Sequence, residues 1–126
     1  MKLKTLLVIK ALVSLVFGIP ILIVPDKLLA LFGLTLNADG MFMAREYGGA
    51  LIGIAALCWF ARNSEGARAL KAIILFGFYY DLVNLFVSVH AMLSGLMNPL
   101  GWGIVAIYLF FTIGFGYFLV RKPVDI

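Results

Sequence analysis

The chain has 126 residues, 64% of them hydrophobic and 13% charged, with a formal net charge of +4 and a mean hydropathy of +1.12. Soluble domains are about half apolar and a quarter charged, and one domain of this length has no core large enough to hide the surplus. Water-soluble folds are therefore excluded, and the class that remains is an integral membrane protein. The basic balance does not mark nucleic-acid binding, because the Lys and Arg residues gather at the ends of apolar stretches and build no basic helix or groove.

Hydrocarbon about 30 Å thick requires roughly 20 helical residues per crossing. Four stretches qualify, at residues 3–24, 41–61, 69–93 and 100–120. The first opens Met-Lys-Leu-Lys in the manner of a secretion signal, but no small-x-small cleavage site follows, so it reads as a retained helix that Pro20 should kink after Gly18. After Pro25 and Asp26, residues 26–33 form a short amphipathic turn of helix suited to a membrane interface. Asn37, Asp39 and Gly40 then cap the second span, and Asn63 or Ser64 is expected to cap the third. Ser94, Gly95, Asn98 and Pro99 make the last turn. No linker, low-complexity tract or internal repeat interrupts the chain, which gives a single domain.

The fold expected is all-α: a bundle of four transmembrane helices with a short interfacial helix after the first. Lys2, Lys4, Arg62, Arg68, Lys71, Arg121 and Lys122 fall on one side and only Lys27 in the opposite loops. By the positive-inside rule both termini and the 62–68 loop are cytoplasmic, and the four spans make the protein multi-pass in a cell membrane. Trp59 and Trp102 fall near opposite interfaces, as an aromatic belt requires.

Ionisable groups inside spans are costly and become candidates for function. Asp81 lies near the middle of the third span, on one face with Gly77, Asn84 and Ser88 at spacings i, i+4, i+7 and i+11. Counting about 1.5 Å per residue from Arg62 and Arg68 places Arg45 and Asp81 at similar depth, which makes them candidate partners. Glu46, adjacent to Arg45, and Lys10, able to snorkel, are the competing ones. Such a pair either fixes helix register or forms a proton, ion or ligand site. Gly49 and Gly53 in the second span, and Gly77 in the third, are positions for close helix approach. Tyr79 and Tyr80 border Asp81 and extend the polar group.

Met41 and Met43 begin the second span and His90, Met92 and Met97 end the third, so thioether and imidazole groups collect at one mouth, a set that suits Cu(I). Residues two apart on a helix face different ways, and apolar packing explains the same letters; no metal site and no cofactor is assigned. The only cysteine, Cys58, rules out an intrachain disulfide and reads as a buried hydrophobe. With no phosphate loop, catalytic carboxylate pair or Ser-His-Asp set, enzymatic chemistry is not expected.

Residues 25–33, the run Arg45-Glu46-Tyr47-Gly48-Gly49-Ala50, the run Trp59-Phe60-Ala61-Arg62, and Asn98-Pro99-Leu100-Gly101-Trp102 together resemble uncharacterised small bacterial four-helix inner-membrane proteins, broadly DoxX-like. The resemblance spans residues 3 to 120 and implies a fold, not an activity. It places Arg45, Gly48 and Gly49 in the region where such proteins carry an Arg followed by Gly, and matches nothing to Asp81. The function expected is an oligomeric pathway for a small solute or ion around Arg45 and Asp81. The alternatives are a membrane-embedded protein that binds a lipid or other hydrophobic ligand, and an accessory subunit. Its partners would be membrane lipid and either further copies of itself or a larger membrane complex.

Overall fold

The computed structural model describes residues 1–121; Lys122, counted above among the cytoplasmic cations, lies outside the described residues. Five helices and no strand occur among them: α1 (Leu3–Ile23), α2 (Pro25–Ala30), α3 (Ala38–Ala61), α4 (Ala67–Leu93) and α5 (Gly101–Arg121). All except α2 are long and apolar enough to cross a membrane. Large apolar side chains such as Val16, Phe60, Phe86 and Val120 lie on the outside of the bundle, the pattern of a chain whose solvent is lipid. The protein is thus a four-helix multi-pass bundle.

Local chemistry sets the helix ends. The Asn37 side chain accepts from Gly40 N at 2.8 Å, and α3 begins at Ala38, three residues before the apolar run itself. Neither Asn63 nor Ser64 caps α4. Gly66 holds the cap position without a side-chain bond, because Ser64 is spent one turn earlier, its Oγ accepting from Gly66 N at 3.4 Å. Helix α1 continues unbroken through Pro20, and Val24 N still reaches Pro20 O at 2.7 Å. Helix α2 follows directly, with Pro25 in its first turn.

The helices pack as two antiparallel pairs, α1 with α3 and α4 with α5, which meet through a thinner contact. Within the first pair, backbone touches backbone. A β-carbon added at Gly48 would come within 2.7 Å of Leu22 N and 2.9 Å of Gly18 O. In the second pair, Gly77 receives the Phe115 ring, which an added β-carbon would approach to 2.7 Å.

Between the pairs, at the Arg62 end, Leu6, Leu7, Cys58, Ile74, Phe111, Phe115 and Phe118 close an apolar core. At the other end the pairs are tied through loops. Gly33, at φ +81, ends the α2 segment in the left-handed region that favours glycine. Beside it Asn98 N donates to Phe32 O and Asn98 Nδ2 to Leu31 O, both at 2.9 Å. Between core and loops the thinner contact leaves a cavity.

Candidate functional site

Lys10 is the one buried charged residue of α1, and Ser14 and Gly18 follow it at i+4 and i+8 on one stripe, all three buried. Lys10 and Ser14 face the second helix pair across the cavity, while Gly18 packs against α3 within the first. Lys10 Nζ donates to Asp81 Oδ1 at 2.6 Å, with the two side chains 4% and 0% exposed. The ammonium also lies 4.5 Å from the Tyr80 ring centroid and 4.6 Å from that of Phe111, close enough for cation–π attraction on two sides. Asp81 Oδ2 is buried and has no hydrogen-bond partner among the described residues. Two of the three Lys10 donors and one carboxylate oxygen therefore remain available.

Above the pair is a cavity of about 150 Å³. Its walls are largely apolar: Val13, Phe17 and Ile21 from α1, Leu51 from α3, Ile104, Ile107 and Phe111 from α5, with Leu28, Leu29 and Phe32 from the α2 segment at the far end. Polar atoms gather at the other end. Besides Lys10, Asp81 and Ser14, three tyrosines from three helices border the cavity. The Tyr47 hydroxyl lies 2.5 Å from that of Tyr108 and 3.0 Å from that of Tyr80. The Tyr80 and Tyr108 rings meet edge to face at 6.3 Å. Three phenols held by one another present a fixed polar wall at low cost in side-chain entropy.

Arg45 does not pair with Asp81. Gly48 packs against Gly18 and Leu22, which sets Arg45 near the end of α1, where its Nε donates to Leu22 O at 3.3 Å. Lys10 lies twelve residues back along α1, about 18 Å at the helical rise, and Asp81 is level with Lys10. Counting depth separately along α3 and α4 misses this because the glycine contact, not the loop, sets the height of α3 against α1. Glu46 is exposed and stands away from the cavity.

Asn84 is half-buried and turns back to donate to Tyr80 O at 2.8 Å, so it does not join the ion pair. Ser88 and Gly77 are buried on the Asp81 face as expected, whereas Tyr79 is 59% exposed and outside the chamber. Gly49 and Gly53 face outward, and an added β-carbon at either meets no atom within 4 Å among the described residues. Of the soft-ligand set, Met43 and His90 are exposed, Met41 is half-buried, and Met92 packs its sulfur against Gly101. Among the described residues no three or more His, Cys, Asp or Glu side chains are placed to hold a metal ion.

Sequence reasoning places neither Tyr47 nor Tyr108 in the polar group. The signal that could have pointed to the chamber is Lys10 followed by Ser14 at i+4 within the apolar stretch of α1. Searches with this chain find no matching family model, curated protein or solved structure.

Proposed function

We propose that this protein binds a small amphipathic molecule inside the membrane, its apolar body between the two helix pairs and its polar group at Lys10 and Asp81. The observation that carries this reading is the cavity of about 150 Å³, with apolar walls and a charged floor. A dry apolar cavity of that size elsewhere holds a benzene ring, so the fitting body is one ring or a short alkyl segment. A hydroxyl on that body would donate to Asp81 Oδ2 and accept from Lys10, satisfying groups that are costly to leave unpaired in a low-dielectric interior.

An ion or small-solute pathway has less support. Arg45 is not at the stripe, and the chain below Lys10 is filled by the apolar core around Leu6, Phe111 and Phe115. The basic residues favour cytoplasmic termini and a cytoplasmic 62–68 loop, with α2 at the opposite interface. The likeness to DoxX-like inner-membrane proteins supports a bacterial inner membrane as the setting.

A photoreactive octanol tests the binding reading in reconstituted vesicles. Adducts mapped by peptide mass spectrometry are expected on the cavity walls, near Ser14, Leu51 and Tyr108, and to fall when unlabelled phenol competes. Ala44 of α3 also lines the cavity, and filling the space through Ala44→Phe should remove them. Adducts spread over outward residues such as Val16 and Phe86, unaffected by phenol or by Ala44→Phe, would overturn it.

A further inference from the structure

The face of α3 that points away from the cavity is self-complementary. It carries Arg45, Glu46, Gly49, Gly53 and Ala56, all exposed. A methyl group added at Gly49 or Gly53 meets no atom within 4 Å, although their neighbour Gly48 is locked against α1. The two glycines therefore leave a shallow strip on which a second helix backbone can lie closely. Two opposite charges flank that strip. Taking about 100° per residue, Arg45 lies about 40° to one side of Gly49 and Glu46 about 60° to the other, one residue apart in height.

Neither charge is matched by an opposite one among the described residues. Arg45 uses only Nε, on Leu22 O, and the one salt bridge among the described residues is that of Lys10 and Asp81. Glu46 precedes Arg62 by sixteen residues, about 24 Å of rise, within a slab roughly 30 Å thick. Charges at such depth are costly against lipid and are stabilised by an opposite charge.

We propose that the protein forms a parallel twofold dimer through this face, with the Arg45 guanidinium of each copy against the Glu46 carboxylate of the other. A chain inserted in one orientation can pair symmetrically only about an axis normal to the membrane. That axis brings the left flank of one α3 opposite the right flank of the other. Arg45 then meets Glu46 twice, at matched height, with Gly49 and Gly53 at the crossing. The proposal is independent of ligand binding, because Ala44, Tyr47 and Leu51, which line the cavity, occupy the other side of α3.

Charge exchange provides the test, read as dimer fraction by single-molecule photobleaching in liposomes over a range of protein-to-lipid ratios. Arg45→Glu alone and Glu46→Arg alone should each weaken association roughly tenfold or more. The double exchange in one chain should restore it, and so should mixing the two single variants, since each then supplies what the other lacks. Gly49→Leu should also block association while leaving the melting temperature of the protomer unchanged, because its site is open. A wild-type protein that stays monomeric at every ratio, single exchanges that dimerise like wild type, or single variants that fail to associate when mixed would each overturn the interface.

Discussion

Replacing Lys10 by Met keeps the length of the stem but removes the only hydrogen-bond partner that the Asp81 carboxylate has among the described residues. Breaking a buried pair in a soluble protein costs about 3–5 kcal/mol, whereas polar couplings inside bilayers average about 0.6 and reach about 1.7 kcal/mol. The distance of 2.6 Å and side-chain exposures of 4% and 0% put this pair at the upper end of the membrane range. We expect Lys10→Met to cost about 2–3 kcal/mol and the coupling to be about 1.5–2 kcal/mol. Asp81→Asn should cost less, about 1–2 kcal/mol, because an amide oxygen still accepts from Lys10 and the ammonium keeps the Tyr80 and Phe111 faces. The double variant should then cost no more than Lys10→Met alone. Reversible unfolding of the solubilised protein by a denaturing detergent, run on all four proteins as a cycle, measures this. Strict additivity, or an Asp81→Asn cost above that of Lys10→Met, would refute the argument from pairing and aromatic support.

Two further outcomes follow from packing and charge. Gly48→Ala should destabilise by about 1–3 kcal/mol, since its β-carbon would meet backbone atoms of Leu22 and Gly18 that cannot move independently, whereas Gly49→Ala, with open space, should leave the protomer's melting temperature unchanged. In a Cys58→Ala background, Ser94→Cys should react with an impermeant thiol reagent from outside intact cells and Ser64→Cys should not; the reverse pattern would invert the topology.

The four spans were legible because each is a long apolar run punctuated by its own cap or turn, as Asn37 and Gly40 do for α3. The burial of Asp81 was legible for the same local reason: four polar or small residues repeat on one face of α4. Its partner was not. Which basic residue reaches Asp81 depends on how far one helix slides along another, and that is set by Gly48 against Gly18 and Leu22, contacts between residues far apart in the chain. The tyrosine cluster was hidden for a related reason. Tyr47, Tyr80 and Tyr108 lie on three helices, and no spacing within one helix links them. Gly48 and Gly49 are adjacent and identical, yet one faces α1 and the other faces outward; only the rotation of α3 separates an internal contact from a free face.

Binding of phenol against toluene tests the central claim most directly, because the two share a ring that suits the cavity and differ in the hydroxyl that suits its floor. The measurement is the rise in melting temperature of the solubilised protein at matched free concentrations, converted to affinity by linkage. A hydrogen bond to a charged acceptor contributes about 1.5–3 kcal/mol, so phenol is expected to bind roughly tenfold tighter or more. Asp81→Asn should shrink that preference and Ala44→Phe should abolish binding of both. Equal stabilisation by the two rings, or none by either, would contradict a polar-floored binding cavity.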